Sequence, residues 1–323
     1  MTSPNPSNII LYHYSYSPYA HKISYYLSLR NIPYHQVPQP PILPRPDLSN
    51  LLGIIYRRIP VLAIGNTVFI NTPLILETLE TKYPTADAAS GTGPALGGGE
   101  EAKEWGRWSD KVFRSAVACL PTSLPVMKDP KFRNDREDFS GSSYQPDKVD
   151  ANRAKALRGV EEGFKGMEEV LKDGRDWVLG GKEVSLGDVN AVWVLEWMIN
   201  LPGALAGSNI SKETYPKTFA WVGRFMAKVG KKRVPKISAQ QAKEVILSEQ
   251  KEDFGVEIQG GGLVKVAPTD TGKNHPQVGV LRKRENGKIV LEVMPPNERR
   301  TLKVVFPEEG FEVKEVARGE AKL

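Results

Sequence analysis

The chain has one cysteine, Cys119, among 323 residues. A single thiol excludes an intramolecular disulfide framework and a multi-cysteine zinc site, and it suits a reducing compartment. Histidine is scarce too. His13 and His35 fall on expected strands, His21 in the first turn of an expected helix and His275 far away, so no metal-ligand spacing is formed. No run of 18 apolar residues occurs, which gives no membrane span to predict. Residues 1–8 lack a basic start followed by a long apolar stretch, so no secretory signal is read there and the expected address is the cytoplasm. What is present is ordinary: 40% hydrophobic and 25% charged residues, as in a soluble globular protein of about two domains with a sizeable core.

The net charge of +6 raises the question of nucleic acid. Its location argues against that. Lys228, Lys231, Lys232, Arg233 and Lys236 supply five positive charges in one short stretch without an acid, and the rest of the chain is nearly neutral. Such a run is read as a solvated helix end or linker, and no nucleic-acid partner is expected.

Composition divides the chain into blocks. Residues 8–84 hold nine of the eleven tyrosines and alternate between short strands and helices. A strand is predicted over Ile9–Tyr14, and Ser17-Pro18 then opens a helix, with serine as N-cap and proline at the first helical position. Ala20, Ile23 and Leu27 give that helix its apolar face. A second strand is predicted over Ile32–Val37. Val61–Ile64 and Thr67–Ile70 alternate around Gly65-Asn66 as a hairpin, and Thr72-Pro73 repeats the cap-plus-proline device. Residues 86–99, rich in glycine and alanine, read as a flexible linker. Residues 100–230 read as helical and are followed by a helix near 240–252. Residues 254–316 read as strands and turns. Val278–Arg284 and Ile289–Val293 flank an Asn286-Gly287 turn, and Thr301–Phe306 and Phe311–Val316 make a second expected pair around 307–310.

The order β-α-β-(α)-β-β-α, with Ile59-Pro60 immediately before Val61, resembles the thioredoxin-like N-terminal domain of cytosolic glutathione S-transferases. Ser17-Pro18-Tyr19-Ala20-His21-Lys22 is similar to that family's active-site turn and first helix, and Asn31–Val37 to its second strand. Ile59–Leu62 is similar to its cis-proline strand, and Asn71–Glu77 to the start of its last helix. Further on, Trp177–Gly181 followed by Ser185–Asp188 is similar to its capping box before a buried helix. Tyr215-Pro216 to Trp221 resembles the helix after that. The resemblance covers about residues 8–230. It implies an α/β thioredoxin-like N-terminal domain followed by an all-α domain, and the remaining residues add a small antiparallel β appendage. The domain reading is 8–84 for glutathione binding, 85–100 for the linker, 101–235 for the helical substrate-binding domain, 236–253 for a connecting helix and 254–323 for the β domain. That last unit is expected to pack on the helical domain or a partner chain, and its removal to leave a folded two-domain core.

The resemblance implies glutathione as co-substrate, a small hydrophobic electrophile as second substrate and a homodimer. A hydroxyl at a helix N-terminus keeps a thiol ionised by donating to the thiolate, with the helix dipole adding to it. Ser17 matches the catalytic serine or cysteine of such relatives. It also reads as a plain N-cap, and the two roles are compatible because a hydroxyl donates and accepts at once. Ser15 is the nearest rival and Tyr14 the third candidate. Pro60 is expected to be cis, exposing the backbone of Ile59 for strand-like pairing with the tripeptide beside Val61. Asn71 and Thr72 occupy the place that grips the γ-glutamyl end. Thr72 keeps the carboxylate-binding half, whereas Asn71 lacks the negative charge that would pair with the substrate ammonium. The outcome is conjugation, or isomerisation through thiol addition and elimination. The alternatives are a non-catalytic binding module and a biosynthetic enzyme that uses the cleft without glutathione. Ser185–Asp188 and Cys119 are read as structural. The polar segment 128–150 is either a lid or an inert insertion.

Overall fold

A computed structural model describes residues 8–248 and 262–316. The first block contains β1 (Ile9–His13), α1 (Pro18–Leu29), β2 (His35–Pro38), α2 (Pro46–Leu52), β3 (Val61–Ile64), β4 (Thr67–Ile70) and α3 (Thr72–Lys82). The helical block contains α4 (Gly99–Ala118), α5 (Pro125–Lys128), α6 (Pro130–Ser140), α7 (Pro146–Val170), α8 (Leu186–Asn200), α9 (Pro216–Val229) and α10 (Ala239–Ser248). The last strands are β5 (Leu263–Pro268), β6 (Gln277–Glu285), β7 (Lys288–Val293), β8 (Leu302–Pro307) and β9 (Phe311–Glu315). The thioredoxin-like and helical parts follow the expected order. The expected last turn of α10, 249–252, and the boundary at 253/254 lie outside the described residues. The second strand starts three residues later than its sequence pattern implies: Asn31 sits at φ +50° in the turn after α1, and residues 32–34 pair with no strand before His35.

Residues along β1 divide strictly between two cores, as a period of two requires. Ile9 and Leu11 join α1, α3 and the helical block, while Ile10 and Tyr12 join α2, α10 and the appended strands. The sheet holding them has nine strands in the order β2-β1-β3-β4-β8-β7-β6-β5-β9. The appended strands therefore do not sit on the helical block. They continue the thioredoxin-like sheet edge to edge, with β8 parallel to β4 through Val68↔Val304 and Phe69↔Val305. An edge strand with all four residues buried, as β4 would otherwise be, leaves backbone donors and acceptors unpaired, and β8 satisfies them. The Asn286-Gly287 hairpin forms as expected, with both residues at positive φ. The second expected pair does not. β8 binds β7 and β4, while β9 binds β5 at the far edge of the sheet.

The glycine-rich stretch is no free linker either. Glu80 accepts hydrogen bonds from the Leu96 and Gly97 amides at 2.9 and 2.8 Å, and the Gly93 amide donates to the Arg30 carbonyl at 2.7 Å. Arg30, fully buried, also reaches Glu80 and the carbonyls of Gly93 and Tyr83. Glycine content misled here, since backbone amides without side chains are free to be strapped down by a neighbouring carboxylate. Ser185 and Asp188 form the capping box, and Asp188, at 0% exposure, also accepts from the Val178 amide and the Trp221 indole at 2.9 Å each. Cys119 is buried, and burial pushes its thiol up to about 11.

Candidate functional site

The register of three strands brings distant segments to one end of the sheet. Tyr12 faces Val61 across β1 and β3, and Val61 faces Ile70 across β3 and β4. Because β3 runs antiparallel to both neighbours, the residues just after β1, just before β3 and just after β4 lie together. These are the Tyr14–Ser17 turn, Ile59-Pro60 and Asn71-Thr72.

Ser17 caps α1. Its amide donates to the Tyr14 carbonyl at 3.0 Å, its carbonyl accepts from Ala20 and His21, and its hydroxyl accepts weakly from the Ala20 amide at 3.4 Å. It is 2% exposed, whereas Ser15 is exposed and Tyr14 half-buried. Tyr14 packs against Tyr16 with the rings tilted, centroids 4.9 Å apart. The Ser15 carbonyl accepts a hydrogen bond from His21, at 2.6 Å. The Ile59–Pro60 bond is cis, as expected. Ile59 is half-buried, and Pro60 and Val61 are buried. Asn71 stands at φ +78° and its side chain makes no cap bond, so it is not a simple helix cap. Asparagine is among the few residues that tolerate this left-handed region. Thr72 is buried at the first position of α3.

The segment 128–150 carries α6, which docks on the same end of the molecule. Asp135 accepts from the Leu43 amide at 3.0 Å, and Arg136 donates to the Pro41 carbonyl at 3.2 Å. Arg57, buried two residues before Ile59, pairs with Asp135 at 2.9 Å and with Asp138, and lies 4.9 Å over the Phe139 ring. Arg45 donates to the carbonyls of Pro40, Pro41 and Arg57, and burial pushes its guanidinium down to about 10. The segment is thus tied by hydrogen bonds and ion pairs to the chain ahead of Ile59, although α6 itself buries no residue.

Residues 11–90 match the family model "Glutathione S-transferase, N-terminal domain", and residues 115–233 match "Domain of unknown function (DUF7962)". Residues 11–90 thus carry a glutathione S-transferase N-terminal domain. Three solved structures illustrate the likeness. A glutathione S-transferase-like protein from Pseudomonas syringae is 23% identical, with 96% of this chain and 100% of that chain covered and a TM-score of 0.68. The beta-etherase LigF from Sphingobium sp. strain SYK-6 is 16% identical over 69% of this chain and 97% of its own, with a TM-score of 0.52. A rice glutathione S-transferase solved in complex with glutathione is 20% identical over 78% and 100%, with a TM-score of 0.48. No curated protein sequence matches the chain. The first two likenesses bear on the fold, and the Pseudomonas match spans the appended strands as well.

Within this glutathione S-transferase N-terminal domain the first helix turns a second face toward the helical domain, which its apolar pattern concealed. Tyr19, Lys22 and Tyr25 recur every three residues on that face. Tyr19 donates to Asp110 of α4 at 2.9 Å, Tyr25 donates to Glu196 of α8 at 2.8 Å, and the Lys22 ammonium lies 5.9 Å over Trp193. Lys22 is 1% exposed, and burial pushes its ammonium down to about 8, against a weaker pull from Asp110. Burial, with Asp110 beside it, raises the Tyr19 phenol. The i, i+3, i+6 spacing was available as a signal. It was masked because lysine and tyrosine read as solvent-facing residues.

Proposed function

We propose that the chain binds glutathione at this end of the sheet and uses the Ser17 hydroxyl to hold the sulfur as a thiolate. The observation that carries the reading is the strand register Tyr12↔Val61↔Ile70, which groups Ser17, Ile59-Pro60 and Thr72. In the proposed mode, the Ile59 backbone pairs with the extended tripeptide as an added strand would. The Thr72 hydroxyl and the first amides of α3 receive the γ-glutamyl carboxylate. Ser17 donates its hydroxyl hydrogen to sulfur, helped by the positive end of α1. Ser15 and Tyr14 are the alternative donors. The thiolate then attacks an electrophilic carbon of a small hydrophobic substrate. A C–S bond forms, and either a leaving group departs with its electron pair or the resulting carbanion takes a proton. In the isomerising variant the same adduct rotates and expels the thiolate again. A homodimer in the cytoplasm completes the reading.

Calorimetric titration with glutathione tests it. Millimolar or tighter binding is expected, weakened about tenfold by Thr72→Ala, a loss of about 1.4 kcal/mol. With Ser17→Ala, the ultraviolet absorbance of the bound thiolate is expected to appear only at higher pH. No heat at tens of millimolar glutathione, about the weakest range such a titration resolves, overturns the reading. Two observations favour a second reading, a scaffold that binds without transferase chemistry: the 2% exposure of Ser17 and the missing charge at Asn71. Under that reading glutathione gives no heat while an apolar ligand still binds.

A further inference from the structure

Residues 53–58 link α2 to Ile59, and their hydrogen bonds come largely from outside the thioredoxin-like block. Gln277 at the start of β6 is 1% exposed. Its side-chain oxygen accepts from the Ile55 amide at 2.9 Å and, more weakly, from Tyr56 at 3.4 Å. Its side-chain nitrogen donates to the Gly53 carbonyl at 2.9 Å. One amide side chain thus pairs with this stretch as a neighbouring strand would. Arg58 donates to the Thr271 carbonyl at 3.1 and 2.6 Å and pairs with Asp270. Arg57 is held by Asp135 and Asp138 of α6, and Asp138 in turn is hydrogen-bonded to Asn274 and His275 at 3.1 and 2.9 Å. The β5–β6 loop closes the circle. The Gly272 amide donates to the Phe139 carbonyl at 2.7 Å, and Gly272 sits at φ +71°. A Cβ there would come within 3.1 Å of both the Phe139 ring and Arg57 Cγ, so the position takes only glycine without displacing them.

We propose that the appended sheet and α6 form the device that positions the glutathione-pairing backbone, with Gln277 and Asp270 as positioning residues acting through segment 53–58. This rests on the reading that Ile59 pairs with glutathione. A strand that pairs with a ligand loses affinity when its own conformation must be ordered on binding. Holding 53–58 from behind removes that ordering cost. The thioredoxin-like block supplies three ties of its own: the Gly53 and Ile54 amides donate to the Ser49 and Leu48 carbonyls at 3.1 and 3.0 Å, and Arg45 donates to the Arg57 carbonyl.

The test uses the full chain with two variants. Gln277→Leu removes the amide pairing at similar volume, and Asp270→Ala changes a side chain that is mostly exposed, so it keeps the test open if the first fails to fold. Hydrogen exchange across 53–59 is expected to speed up at least about tenfold, the equivalent of one lost hydrogen bond, while α1 and α8 exchange as before. Glutathione affinity is expected to fall by a similar factor, with the pH at which the bound thiol ionises unchanged, because Ser17 is untouched. Unchanged exchange and affinity in both variants overturn the proposal, as does a uniform rise over the whole chain. If the unmutated protein takes up no glutathione, the glutathione reading fails by itself. Exchange at 53–59 then decides the positioning claim alone: local acceleration upholds it and none overturns it.

Discussion

Tyr25 of α1 donates its phenol hydrogen to Glu196 of α8 across the boundary between the thioredoxin-like and helical blocks, at 2.8 Å. The other carboxylate oxygen takes Asn200 at 2.8 Å, and His21 lies 3.9 Å from the first. Both partners are buried, and a buried carboxylate deprived of a donor costs more than the bond itself is worth. Tyr25→Phe is therefore expected to lower stability by about 1–3 kcal/mol, read from urea unfolding. A change near zero would mean that water reaches Glu196 when the hydroxyl is removed.

Lys22 gives a pH-dependent prediction. Its ammonium loses its proton at about 8 in the folded chain and at the ordinary 10.5 when unfolded. Below pH 8 both states are protonated and the full penalty of burying the charge is present. Between pH 8 and 10.5 the unfolded chain binds more protons, so stability rises with pH through that window. The interval is worth at most about 3 kcal/mol. Lys22→Met is thus expected to stabilise the protein at pH 7, with the advantage shrinking toward pH 10. A gain that stays constant with pH would show that the ammonium is solvated.

Asp188 accepts from the Ser185 amide and hydroxyl, the Val178 amide and the Trp221 indole at 2.6–2.9 Å. Asp188→Ala strands these donors in a fully buried place. The expected loss is about 3 kcal/mol or more, measured by chemical denaturation, with Trp221 fluorescence as a local probe. A cost below about 1 kcal/mol would contradict the picture of a buried cap holding α8, α9 and the preceding turn together.

Truncation tests the continuity of the sheet. Residues 254–323, taken as a separate unit on sequence grounds, include β8, whose removal leaves β4 as an edge, and Val304, Phe306 and Leu302, which cover the face bearing Val68 and Ile70. A chain ending at residue 253 is expected to bind a hydrophobic dye and aggregate, because a buried apolar edge strand becomes available for pairing. A monomeric, cooperatively unfolding fragment would show instead that the first two blocks suffice.

The features the sequence made legible are local. Ser17-Pro18 begins a helix, Ser185–Asp188 caps one, and Asn286-Gly287 turns a hairpin, because each device acts within four residues of itself; at Thr72-Pro73 the helix starts as expected, but Asn71 and not Thr72 holds the cap position. The order of these pieces was enough for the thioredoxin-like and helical blocks and for the cluster of Ser17, Pro60 and Thr72. By itself, then, the sequence determined the elements, their caps and turns, and the order that resembles a glutathione S-transferase N-terminal domain. Only the tertiary structure decided that β8 lies beside β4, that the Lys22 face of α1 is interior, and that Gln277, Asp270 and α6 grip the chain ahead of Pro60. Those relationships join residues tens to hundreds of positions apart. Hydrogen bonding and burial at such separations depend on which surfaces meet in space, and leave no periodicity along the chain to read.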